Sequence, residues 1–184
     1  GQPIAIINKP AGGGTVAMQE IARAQPDGYT LINFTAIQAA IAPHMREVPY
    51  DPVKDFTPVM FYGAFNTYVA VRADSAYKSL ADLLDFARKN PRVLTSGISV
   101  IGASSHLGMA RLAGDSGAQV TFVPFGGGAP AITALLGRHV TSAVTSGEVL
   151  PHVQSGEVRL LATLMAQRAP ETPDVPTVRE LGFA

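Results

Sequence analysis

The chain has 184 residues, and its 14 basic side chains are balanced by 14 acidic ones. With no net charge and no cluster of Lys or Arg, a nucleic-acid surface is excluded, and no apolar run is long enough to span a bilayer. Apolar residues make up 47%, enough for the core of one large or two small domains, and the absence of cysteine excludes disulfides and thiol chemistry while fitting an oxidising compartment.

The chain opens on Gly1-Gln2-Pro3 with no signal peptide, as a processed secreted protein or a fragment would. Ile4 to Asn8 reads as a buried strand, Pro10 to Gly14 as a loop, and Thr15 as the cap of a helix over Val16 to Ala24. Pro26-Asp27-Gly28 is a turn, and Tyr29 to Thr35 the next strand. This β-α-β order predicts a parallel pair with a right-handed crossover. A short helix follows over Ala36 to Met45, then a proline-broken loop from Pro49 to Thr57. Val59 to Tyr62 and Tyr68 to Val71 read as strands. Ser79 caps a helix to Lys89, with Asp82 in the capping-box position and Leu80, Leu83, Leu84 and Ala87 on one apolar face. Strands at 92–96, 119–124, 140–145 and 158–163 then alternate with helices at 104–113, 129–137 and 149–155. Gln167 to Thr177 is loop, and Val178 to Phe183 a short final helix. The alternation predicts an α/β domain with a mostly parallel sheet.

Two turns carry most of the functional information. Gly97 to His106 and Phe125 to Gly128 each follow an apolar strand and lead into a helix. A small-residue turn at that place exposes free helix N–H groups, which with the helix dipole favour a carboxylate or similar anion. The plainer reading is that glycine only closes tight turns.

Other motifs lead less far. Gly12 to Ala17 fits the dinucleotide pattern, but the second strand ends Asn33-Phe34-Thr35-Ala36 without the acid that would hold a ribose. Ser105 and His106 are helix neighbours pointing in different directions, and no nucleophile elbow is present. His106 is expected to bond locally or frame the pocket. The four histidines are scattered without metal-ligand spacing, so no metal is expected. Asp82, Asp85 and Glu157 read as solvated charges, leaving Ser, Thr, Gly and backbone near the turns: good for binding, poor for chemistry.

Several blocks carry a resemblance. Asn8 to Gly14, Ala24 to Leu31 (with Pro26-Asp27-Gly28-Tyr29-Thr30-Leu31), Pro49 to Val59, Ser105-His106-Leu107, Val123 to Gly128, Leu160 to Thr163 and Arg168 to Gly182 resemble the tripartite tricarboxylate transporter solute receptors, the Bug or TctC-type periplasmic binding proteins. The likeness runs through the whole chain. It implies a type II, flytrap-like periplasmic-binding-protein fold and a receptor that performs no chemistry. It also implies that residues 1–63 form part of one lobe, 64–162 a complete second lobe, and 163–184 a crossover returning toward the first. Such receptors carry an earlier strand with a carboxylate-gripping loop and further elements after the last block, so the chain is expected to be an internal fragment. The stretch Ala143 to Ser146 departs from the family's commoner acidic version.

The resulting expectation is a periplasmic solute receptor for a small carboxylate or related organic acid, handed to a tripartite tricarboxylate-type membrane transporter. No cofactor, metal, nucleic acid or membrane insertion is expected. Candidate ligand contacts are Ser99, Gly102, Ala103 and Ser104 on the first turn, Gly126 and Gly127 on the second, and Thr145 and Ser146 at the next strand end. Thr35 and Ala36 would come from the other lobe, with Phe65 and Asn66 near the crossover. Alternatives are a nucleotide-dependent α/β enzyme using Gly12 to Ala17, or a ligand sensor with the same fold.

Overall fold

The computed structural model describes residues 3–9 and 11–183, and the chain divides into two compact units, residues 1–62 and 63–184.

In the first unit the helices form as the sequence predicts and the strands do not. Helix α1 spans Thr15–Ala22, and α2, Ala42–Met45, continues a π-helical turn over Ile37–Ile41. Gly28 takes φ 83° in a turn closed by the Tyr29 N–H on Asp27 Oδ1 at 3.0 Å. Met18, Ala42 and Tyr50 are buried, and Phe34 stacks on Phe56 with ring centroids 5.1 Å apart. The predicted strands at Ile4 to Asn8, Tyr29 to Thr35 and Val59 to Tyr62 are irregular, so the β-α-β pair is absent from the described residues. Ile4 is 85% exposed and Phe61 84%. A strand exists only through its ladder, and apolar β-formers without a pairing partner stay open whatever their propensity.

The second unit is a three-layer α/β/α domain. Its strands are β1 (Tyr68–Arg72), β2 (Leu94–Ile98), β3 (Val120–Pro124), β4 (Ser142–Thr145) and β5 (Val158–Thr163), in sheet order β3-β2-β4-β1-β5. The helices are α3 (Leu80–Lys89), α4 (Ser104–Ser116), α5 (Gly128–Leu136) and α6 (Leu150–Gln154). The fold class is as expected: β2, β3, β4 and β5 run in one direction, and β1 between β4 and β5 is the reversed strand. β2 runs parallel to β3 and β4, whereas β1 runs antiparallel to both β4 and β5. The first strand of the domain enters from the opposite end, and no periodicity in its own residues encodes that direction.

Alternation along β1 sorts the core. Val69 and Val71 face α3 and α4 with Leu83, Leu84, Leu94, Met109 and Leu112. Tyr68 and Ala70 face α5 with Ile132, Leu135, Ala143 and Val149. Burial on both faces explains why β1 reads as a continuous apolar run. Gly97 leaves room for this packing: a Cβ there would lie 3.3 Å from Phe125 and Val140 and 3.4 Å from Ala131 on α5. The Ser79 capping box forms as predicted, with the Asp82 N–H on Ser79 Oγ at 3.1 Å and the Ser79 N–H on Asp82 Oδ2 at 2.9 Å.

After β5 the chain packs back on this same unit. Thr163 bridges Thr177, Val175 and Ala169 join one side of the core, and Val178 and Phe183 the other. The expected helix at Val178 to Phe183 is a series of turns: Thr177 and Glu180 hold one another's backbone N–H groups at 3.1 and 2.8 Å as in a capping box, and Gly182 at φ 88° ends the run.

Candidate functional site

Parallel direction places the C-terminal ends of β2, β3 and β4 at one edge of the sheet. Antiparallel β1 begins there, with Tyr68 opposite Thr145, and β5 ends there, with Thr163 opposite Tyr68. This edge therefore collects ten of the candidates: Phe65 and Asn66 before β1, Ser99, Gly102, Ala103 and Ser104 after β2, Gly126 and Gly127 after β3, and Thr145 and Ser146 at the end of β4. Thr35 and Ala36 belong to the first unit. There the Thr35 hydroxyl bonds Gln38, whose amide donates to the Gly13 carbonyl at 3.1 Å.

The two glycine turns are tied together. The Gly126 N–H donates to the Ser99 carbonyl at 2.8 Å, and the Phe125 N–H to that of Ile98 at 3.0 Å. Gly102, at φ 85°, donates its N–H to His106 Nδ1 at 3.2 Å, and Ala103 donates to Val100 at 3.1 Å. The N–H groups of Gly102, Ala103 and Gly126, expected as ligand donors, thus hold the turns in shape. What they leave for a ligand is the first turn of α4, opening at exposed Ser104, where intrahelical bonds do not reach. Asn66 gives its amide to Glu171 Oε1 at 2.6 Å, and Phe65 stands 63% exposed.

His106 frames the first turn, as expected. Its ring meets Phe122 edge to face at 4.7 Å, and burial lowers its pKa. Since Nδ1 accepts from Gly102, the neutral ring holds the turn. The folded state resists a proton that the unfolded chain takes up near pH 6.5. The His106 contribution is therefore fully present above about pH 6.5 and is lost as pH falls through the lower folded value. Ligand affinity and melting temperature are expected to fall together as pH drops through that lowered value. In His106→Gln this pH dependence should vanish, as measured by titrations and melts across the range. An unchanged profile in the variant would remove His106 from this role.

One residue at this edge escaped the sequence reading, which left no carboxylate near the glycine turns. Glu148 reaches across from the loop after β4 to the start of α5. Its Oε1 accepts the Thr145 hydroxyl at 2.7 Å and the Ser146 N–H at 3.2 Å. A Cβ on Gly128 would lie 1.5 Å from that oxygen, so the glycine leaves the space the carboxylate fills. The Ser146-Gly147-Glu148 spacing after a strand end was the signal, and it reads as an ordinary solvated loop until α5 is placed beside it.

The Gly12 to Ala17 loop lacks the context a dinucleotide site needs. No strand precedes it among the described residues, and Gln38 and Arg46 bond the Gly13 and Gly12 carbonyls. A depression of about 400 Å³ lies at the opposite edge of the sheet, but Asp74 already pairs with its Arg72 and Arg138 at 2.7 and 3.0 Å. No metal-holding group of three or more His, Cys, Asp or Glu occurs among the described residues, and no helix there is long and apolar enough to cross a membrane.

A three-layer domain with its strand-to-helix turns gathered at one edge is the architecture of a ligand-binding lobe. The chain matches the model of the tripartite tricarboxylate transporter family receptor over residues 1–184, and it belongs to that family. It is 35% identical over 183 residues to the UPF0065 protein in the gbd 5' region of Cupriavidus necator, a match covering 100% of this chain and 56% of that protein. The chain spans about half the length of the curated relatives it matches.

Solved structures agree. One described as a periplasmic transporter superposes with a TM-score of 0.90 at 32% identity, covering 99% of this chain and 62% of that one. The Rpa4515 protein of R. palustris with adipate gives 0.84 at 31%, covering 93% and 58%. MatC from Rhodopseudomonas palustris with bound malate gives 0.81 at 30%, covering 94% and 60%. The similar proteins are solute receptors, and the fold here is theirs.

Proposed function

We propose that this chain is the ligand-binding part of a periplasmic receptor that takes a small carboxylate or related organic acid and presents it to a tripartite tricarboxylate-type membrane transporter. The observation that carries the reading is the convergence of the β2, β3 and β4 turns and the start of β1 at one sheet edge, in a chain of this receptor family. The first turn of α4 opens at that edge and suits a carboxylate through its N–H groups and dipole. The bound adipate and malate of the two R. palustris structures support the ligand class. In this reading Ser99, Gly102, Ala103, Gly126 and Gly127 shape the pocket, and Ser104, Thr145 and Ser146 line it with hydroxyls. Phe65 and Asn66 border it just before β1.

The site performs no chemistry in this proposal, since a receptor must release its ligand unchanged. Ser105 is buried on α4 next in sequence to His106, whose Nδ1 is occupied by Gly102, so no serine–base pair is assembled. Calorimetry of the purified protein with malate, adipate and NAD provides the test. Saturable binding of an acid, recovered intact, with no heat from NAD is expected. NAD binding without any acid binding would instead favour the nucleotide-dependent enzyme.

A further inference from the structure

The candidate edge is acidic where its residues alone suggest neutrality. Glu148 stands exposed beside Gly128 at the start of α5, held by Thr145 and Ser146. Glu171 lies at the same edge, bonded to Asn66, and the neighbouring Thr172 hydroxyl donates to Tyr68, the residue opposite Thr145. No Lys or Arg occurs among residues 65–67, 99–106, 125–128 or 145–148. Of the two longer helices that begin at this edge, α5 therefore already has a carboxylate at its start, whereas α4 begins at exposed Ser104.

A ligand with one carboxylate on α4 that extends along this edge to the start of α5 brings its other end to Glu148. A second carboxylate there would meet a like charge with no Lys or Arg in these turns to offset it, and Arg168 beyond β5 is already paired with Glu180. An ammonium or hydroxyl would find an acceptor already positioned by two hydrogen bonds. We propose that Glu148 sets the ligand class of this site, favouring an organic acid with a donor group at its far end over the dicarboxylate of matched length. This rests on the receptor reading above and narrows it.

Two matched sets of probes separate the classes: β-alanine against succinate, and γ-aminobutyrate or γ-hydroxybutyrate against glutarate. They are titrated into wild type, Glu148→Gln and Glu148→Asp, in the polypeptide that carries residues 1–184 with whatever sequence flanks them. Wild type should prefer the amino or hydroxy acid within at least one set. Glu148→Gln should shift that ratio toward the dicarboxylate by about tenfold or more, and Glu148→Asp should keep the wild-type preference. A wild type that prefers the dicarboxylate would overturn the proposal, and so would an unchanged ratio in Glu148→Gln. Should Glu148→Gln unfold, Gly128→Ala replaces it, because its methyl displaces the carboxylate. Loss of the preference in folded Gly128→Ala supports the proposal, and a retained preference overturns it. Binding of none of the acids, by any variant, overturns the receptor reading itself; binding with an unaltered ratio overturns only the role of Glu148.

Discussion

Gly102→Val is expected to lower both the melting temperature and the ligand affinity of the receptor. Gly102 sits at φ 85°, a region that β-branched residues almost never enter, and its N–H is bonded to His106. The backbone strain should cost about 1–3 kcal/mol. The accompanying movement of the turn between β2 and α4 should weaken carboxylate binding by more than about tenfold. The left-handed backbone means that stability must suffer along with affinity. Gly102→Asn separates the two, because asparagine tolerates this conformation while still adding a side chain. It should melt close to wild type and still bind weakly if the ligand approaches the turn. Wild-type affinity in Gly102→Asn would make the glycine purely structural. A Gly102→Val protein that melts like wild type would contradict the turn geometry.

Leu84→Ala is expected to lower the unfolding free energy by about 3 kcal/mol, within the range of ~2–5 found for buried leucines. Leu84 is fully buried on α3, in the cluster that Val69, Val71, Leu94 and Leu112 share with it across the sheet. Nothing in a close-packed three-layer core can move far enough to refill the cavity. The neighbouring exposed pair Asp85–Arg88 offers the contrast, since a surface ion pair contributes at most about 1 kcal/mol. Urea titrations followed by circular dichroism should show a large fall in midpoint for Leu84→Ala and almost none for Asp85→Ala, with slopes unchanged. Similar effects from the two would mean that α3 is not docked on the sheet as described.

Local signals were sufficient wherever a single segment carries its own instructions. The capping box at Ser79, the four-residue apolar face of α3 and the turn at Pro26-Asp27-Gly28 form as read. So does the small-residue turn between β2 and α4, because in each case the bonded partners lie within a few residues. The block resemblance read from residues 8 to 182 likewise led to the family that the chain belongs to.

What depends on distant partners was not legible in this way. Ile4 to Asn8, Tyr29 to Thr35 and Val59 to Tyr62 have strand composition but no ladder, since pairing is a property of two segments. The reversed direction of β1 follows from how the whole unit packs, not from Tyr68 to Arg72. The N–H group of Gly126 reads as a free donor in sequence, yet folding gives it to the Ser99 carbonyl on the other turn. Glu148 joined the candidate edge only when β4 and α5 brought it beside Gly128, twenty positions away along the chain. Helices, turns and family membership thus follow from the order of residues alone. Strand pairing, strand direction and the charge of the site emerge only on folding, because each is fixed by contacts between residues far apart in the chain.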